Sequence, residues 1–256
     1  MTKSKVRRES GLYLVDGPKM CSETPAEDAE EVYVTAEFLR SEHASLCRPL
    51  IERTGCIEVA ESEMKQMSDT VTPQGILVLA RQKKLRGLPA LLESSSAAPF
   101  LLLLETIQDP GNLGTILRAA EAAGVTGVVM NRGCVDVYAP KVVRATMGAI
   151  FRVPFLVTED LCMAVDRLKK GGEGKPGLRL YAAHLKSAVD YTSVGYAVPC
   201  AVMIGNESKG LTDELCAHAD AAIKIPMAGR VESLNAAMAA AIISFEAARQ
   251  RRADCV

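Results

Sequence analysis

Cys200-Ala201-Val202-Met203-Ile204-Gly205-Asn206-Glu207-Ser208-Lys209-Gly210-Leu211 is the stretch on which the reading of this chain turns. Five apolar residues run without interruption into a polar quartet bracketed by two glycines. That is the composition of a strand buried on both faces and ending in a turn open to a ligand. Such strands belong to parallel sheets covered by helices, where ligands gather beyond the carboxyl ends of the strands. A second segment repeats the form: an apolar run at 222–225, then Pro226-Met227-Ala228-Gly229-Arg230, then Ser233-Leu234-Asn235. Working outward, further apolar runs stand at 100–104, 127–130, 152–156 and 179–182, with helix-like stretches at 113–123, 139–149, 161–169 and 234–252. The alternation predicts an α/β fold with parallel strands and crossover helices.

Toward the N-terminus the pattern changes. Residues 85–99 combine Gly87, Pro89 and Pro99 with three serines between two apolar segments, the composition of a boundary. The expected division is a small α/β domain at 1–88, a linker at 89–98 and a larger domain at 99–256. In the small domain 11–15, 31–34, 57–59 and 75–79 read as short strands, and 35–51 has helical composition. The glycine-rich 171–177 reads as a surface loop.

Composition removes several function classes. With 48% hydrophobic and 24% charged residues the chain packs as ordinary globular protein. Its 30 basic and 31 acidic residues give no global attraction to nucleic acid, so RNA binding would need a local patch. Candidates are Lys5, Arg7 and Arg8, the Arg81-Gln82-Lys83-Lys84-Leu85-Arg86 segment, and Lys141 with Arg144, although any one such cluster is also an ordinary solvated face. Tryptophan is absent and aromatics are 4%, which disfavours binding through many stacked bases. Eight cysteines without a C-x-x-C pair, and three histidines, argue against a metal site and for free thiols. No apolar run is long enough to span a bilayer and no signal peptide follows the basic N-terminus. A soluble, cytoplasmic protein with no membrane partner is expected.

Three constellations carry chemistry. The first, Asp109-Pro110-Gly111-Asn112-Leu113-Gly114-Thr115-Ile116-Leu117-Arg118, follows a strand and opens a helix whose free N–H groups suit a polar ligand. Asn112 as a helix cap and Arg118 as a snorkelling surface side chain account for the same residues. The second is the Gly205–Gly210 turn, where Glu207 at the start of a helix would be unremarked in any protein. In the third, Ser233 is a plausible cap. Asn235, by contrast, is a poor helix former in an alanine-rich run, and if buried it needs partners for its amide. Neither the G-x-G-x-x-G spacing of a dinucleotide site nor the spacing of a phosphate-binding loop is present.

Taken in order, Asn112 with Arg118, Gly-Asn-Glu-x-x-Gly-Leu, and Ile-Pro-Met followed by Ser-Leu-Asn resemble the three motifs of the SpoU/TrmH branch of the SPOUT RNA methyltransferases. The resemblance spans 99–252. It extends more weakly to 11–20 and 67–75, which are similar to the small RNA-substrate-binding domain of that family, itself like ribosomal proteins that grip structured RNA. It implies a deep trefoil knot in the C-terminal domain, S-adenosylmethionine as cofactor, a homodimer with sites at the subunit interface, and no metal. Carried over by position, Gly205, Ile225 and Leu234 match cofactor contacts, and Asn206, Pro226 and Met227 belong to the same loops. Arg118 matches the arginine that activates the ribose 2′-hydroxyl. Asn112, Glu207, Ser233 and Asn235 match the polar residues that orient arginine and substrate. The two-domain layout resembles enzymes of ribosomal RNA more than those of tRNA. A catalytically silent, ribosome-associated RNA-binding factor is the reading from a different class.

Overall fold

The computed structural model describes residues 3–253 apart from Lys84, Arg86, 94–96, 172–175, Lys186, Ala188 and Glu207. In chain order the first elements are α1 (Ser4–Ser10), β1 (Leu12–Asp16), α2 (Pro18–Ser22), β2 (Ala29–Val34), α3 (Ala36–Arg40), α4 (Ala44–Thr54), β3 (Ile57–Glu58), α5 (Glu61–Met67) and β4 (Ile76–Arg81). Next come α6 (Leu88–Glu93), β5 (Phe100–Leu104), α7 (Pro110–Ala122), β6 (Gly127–Asn131), α8 (Pro140–Ala145), α9 (Ala149–Arg152), β7 (Phe155–Thr158) and α10 (Leu161–Lys170). The last are β8 (Arg179–Ala183), β9 (Val189–Asp190), β10 (Cys200–Ile204), α11 (Asp213–Ala217), β11 (Ala221–Lys224) and α12 (Ala236–Ala253). The chain forms two compact units, Met1–Lys83 with Asp136–Phe151, and Lys84–Val135 with Arg152–Val256.

In the first unit a four-stranded sheet runs β1-β4-β2-β3. β4 pairs antiparallel with β1 and β2, while β3 adds to β2 in parallel. The later segment Asp136–Phe151 is held onto α1 by one ion pair. Arg7 is 3% exposed and directs Nε and Nη2 at Asp136 Oδ2, at 3.1 and 2.6 Å. A guanidinium buried that deeply needs a partner, because its desolvation costs several kcal/mol, about 3–5 once the pair is broken. Tyr13 and Tyr138 add ring contact at 4.6 Å between centroids. The single helix expected at 139–149 is two short ones, because Met147 (φ 49) and Gly148 (φ 92) take left-handed backbone between them.

The second unit is built on a seven-stranded sheet of order β7-β6-β5-β10-β8-β11-β9. Every neighbouring pair is parallel. β5 and β10 lie inside it, and each of their residues is buried, which is why both read as unbroken apolar runs. Leu88 and Leu91 of α6 join Leu161, Leu168 and Leu215 in the core of this unit. Residues 89–98 are therefore not linker throughout: α6 is a packed helix whose apolar spacing the neighbouring serines and prolines obscured. β7 begins at Phe155 rather than Arg152, since Arg152 ends α9 and Pro154 has no amide hydrogen to give to a ladder. The edge strand β9 is two residues long, too short to show a pattern.

α7 and α12 pack against each other in this unit. At the far end of α12, Arg251 donates to the carbonyl oxygens of Tyr196, Ala98, Pro99 and Val198 at 2.6–3.0 Å. Its guanidinium lies 5.2 Å from the centre of the Phe100 ring. This charge-assisted clasp secures the C-terminal helix to the start of β5 and the segment that leads into β10.

Candidate active site

The loops leaving β8, β10 and β11 enclose a cavity of about 390 Å³ at the carboxyl ends of their strands. Gly205, Asn206, Ile225, Met227, Ser233 and Leu234 line it. The two segments singled out in the sequence, 200–211 and 222–235, therefore meet around one space. Pro226 is not among the lining residues, and Glu207 lies outside the described residues.

Gly205 is required by its surroundings. A Cβ there would fall onto the backbone of Gly210 and Leu211. The turn closes on itself through Asn206 N to Gly210 O at 3.1 Å and Gly210 N to Asn206 O at 2.8 Å. Gly210 adopts φ +70, left-handed backbone that suits glycine. Asn206 shapes the interior of the turn, its Oδ1 accepting from Ser208 N and Lys209 N at 2.8 and 3.2 Å. Its Nδ2 donates to the Thr106 carbonyl at 2.9 Å. Thr106 itself has φ 57, a conformation costing about 1–3 kcal/mol in a non-glycine residue. Asn131 holds it there from β6, accepting from Thr106 N at 2.9 Å and donating to Thr106 Oγ1 at 3.1 Å. Side chains and backbone thus tie the ends of β6, β5 and β10 together. Glu105 extends the tie by accepting from the amide and hydroxyl of Thr212, both at 2.8 Å, and Thr212 in turn caps α11.

The first and third motifs meet directly. Asn235 donates from Nδ2 to Asn112 Oδ1 at 2.9 Å, while its own Oδ1 accepts from Ala237 N and Met238 N at 2.9 and 3.3 Å. Asn235 is therefore the cap of α12, exposed rather than buried, and the helix starts at Ala236. Capping fixes which end of this amide accepts, so Nδ2 must be the end turned to α7. Asn112 does not cap α7, as the sequence suggested. Asp109 does so, accepting from Asn112 N at 2.8 Å, and Pro110 fills the first helical position, where no amide hydrogen is needed. Arg118 lies further along α7, exposed, with no ion pair among the described residues, and it does not line the cavity.

Several contributors were not read from the sequence. His184, following β8, lines the cavity, as do Lys209, Lys224 and Glu232. The rule that ligands gather past strand ends would have pointed to His184, but Glu232 carries no pattern of its own. Cys134, after β6, has a thiol pushed up to about 11 by burial and accepts from Ile107 N at 3.3 Å, so it is structural. Among the described residues no group of three or more His, Cys, Asp or Glu side chains is placed to hold a metal ion.

The basic candidates for RNA contact are largely engaged. Arg7 is buried against Asp136, Arg81 pairs with Glu30, Lys83 with Asp28, Arg144 with Asp69 and Lys5 with Glu9. Arg8 and Lys141 are exposed, and Lys84 and Arg86 lie outside the described residues.

Comparison with known proteins agrees with this geometry. Residues 99–245 match the SpoU rRNA Methylase family and residues 1–78 match the MRM3-like substrate binding domain. The mitochondrial rRNA methyltransferase 3 of Xenopus laevis is 30% identical, over 98% of this chain and 74% of its own. The 23S rRNA (guanosine(2553)-2′-O)-methyltransferase RlmP of Bacillus subtilis is 29% identical, over 94% of this chain and 90% of its own. The crystal structure of an AdoMet-bound rRNA methyltransferase from Sinorhizobium meliloti superposes with a TM-score of 0.78 at 29% identity, covering 97% of this chain and 91% of that one. With its motifs in family order, its parallel sheet ending in one cavity and a family match over most of the larger unit, this chain belongs to the SpoU rRNA methylase family.

Proposed function

We propose that the protein transfers the methyl group of S-adenosylmethionine to a ribose 2′-hydroxyl of RNA, with ribosomal RNA as the substrate. The observation that carries this reading is the meeting of the second and third motifs around one cavity, with the first motif bonded to the third through Asn112 and Asn235. The cavity fits the cofactor in kind: Gly205 and Gly210 contribute backbone to its lining, and the remaining walls are mostly aliphatic. Gly205, Ile225 and Leu234 hold it, with Asn206 and Met227 shaping the same loops; Pro226 supports its loop from outside the lining. When bound, S-adenosylmethionine supplies an activated methyl group on sulfur.

The task of the chain is placement and charge. As a guanidinium, Arg118 is a reluctant base. It acts by binding phosphate and stabilising the alkoxide that develops on the 2′-oxygen. Asn112 and Asn235 orient the N-terminal end of its helix; Ser233 and Glu207 complete the polar set. The first unit, expected at residues 1–88 and formed by Met1–Lys83 with Asp136–Phe151, grips the RNA. The relatives named as rRNA methyltransferases favour ribosomal RNA over tRNA and an active enzyme over a silent binding factor.

We further infer a homodimer, a cytoplasmic location and the trefoil threading that the family resemblance implies. Met238 and Phe245 are 53% and 47% exposed on α12, an apolar stripe suited to a second copy. Arg118 lies outside the cavity lining of its own chain, as a site completed across a dimer would have it.

Arg118→Ala should abolish methyl transfer to ribosomal RNA while calorimetry shows S-adenosylmethionine bound within about twofold of the original affinity. Retained activity would remove Arg118 from its role; absence of binding heat in the unmodified protein would end the cofactor reading.

A further inference from the structure

We propose that Lys209 and Glu232 form a charge clamp for the amino-acid end of the methyl donor, Lys209 receiving its carboxylate and Glu232 its ammonium. The inference rests on the cofactor reading above and deepens it. Most of the cavity wall is aliphatic, with Ile204, Leu211, Ile223, Ile225, Leu234 and Ile243 among its residues. That wall suits the neutral adenosine part of the donor and offers nothing to a zwitterion. The charged side chains among the described lining residues are Lys209, Lys224 and Glu232.

Lys224 stands beside an acid of its own sheet. It stands opposite Asp190 in the β11–β9 pairing, and it adds to the effect of Thr192, whose amide and hydroxyl hold the Asp190 carboxyl below its ordinary value. Lys209 and Glu232 have no ion pair among the described residues, and Glu232 is the acidic residue among the described lining. They approach from different loops, Lys209 from the Asn206–Gly210 turn and Glu232 from the segment leading into α12. A cation and an anion on two loops facing one apolar space form the complement of a free α-amino acid group.

Two ligands separate a clamp from a merely structural role. S-adenosylhomocysteine carries the amino-acid end; 5′-methylthioadenosine has the same adenosine and thioether without it. In calorimetric titrations of the full-length protein, Lys209→Gln and Glu232→Gln should each weaken S-adenosylhomocysteine by about tenfold, the scale of one charge-assisted contact. Both variants should bind 5′-methylthioadenosine as the unmodified protein does. Equal weakening of the two ligands would mean loop damage and overturn the clamp, as would unchanged affinity for S-adenosylhomocysteine in either variant. A variant that loses only RNA affinity would assign its residue to phosphate binding and overturn that half of the proposal. If the unmodified protein bound neither ligand, the cofactor reading itself would fall, an outcome distinct from all of these.

Discussion

At Gly205 the absence of a side chain is what the site uses. Its position at a strand end was legible because glycine interrupts an apolar run, but why nothing larger fits there became visible only in the return of the chain at Gly210 and Leu211. Gly205→Ala must push the turn off its closure, a local overpacking worth about 1–3 kcal/mol. The expected result is S-adenosylhomocysteine affinity lowered at least about tenfold, with the melting temperature down by a few degrees. Unchanged affinity would mean that the turn is not the cofactor wall. The neighbouring polar residues were less legible. In Asp-Pro-Gly-Asn the sequence reading took Asn112 as the cap, and only the observed bond from Asn112 N to Asp109 decides for Asp109. Glu232 was unreadable, because nothing local in Arg230-Val231-Glu232 shows that this loop faces a cavity.

α12 was legible as a helix but not in its first residue, since the alanine-rich run carries no stop upstream of Asn235. One amide there serves two purposes, and two substitutions separate them. Asn235→Ala removes the cap, at a cost of about 1 kcal/mol, and the bond to Asn112 together. Asn235→Asp keeps an acceptor for Ala237 N and places a negative charge at the helix start, which is favourable, yet it has no hydrogen to give Asn112. Thermal melting should therefore show the Asp variant near the original stability and the Ala variant below it. Both should lose most of kcat if the link between α7 and α12 positions Arg118. Full activity in the Asp variant would reduce that link to a packing detail. Elsewhere, α6 shows how composition misleads: serines and prolines around it read as a boundary, while Leu88 and Leu91 belong to the core.

For the whole molecule, a dimer with shared sites makes a prediction that a self-contained site does not. Arg118→Ala and Gly205→Ala chains, assayed with S-adenosylmethionine too dilute to fill the Gly205→Ala site, should regain about a quarter of the original activity when unfolded and refolded together, because half the dimers are mixed and each of these holds one intact site. Sedimentation of the mixture must show dimers; no recovery from such dimers would place both residues in one subunit's site. Two α/β units and a parallel sheet were legible from periodicity. That the first unit includes Asp136–Phe151 was not, since sequence order hides a segment that leaves one unit and joins another. The chain passes between units at 83/84, 135/136 and 151/152, three crossings read from the unit boundaries. The first unit is therefore not a detachable cassette. A fragment cut at residue 88 keeps Arg7 and lacks Asp136, leaving a buried cation without its counter-ion. Grafting this unit onto another enzyme means transplanting two pieces in register, with Arg7 and Asp136 both present.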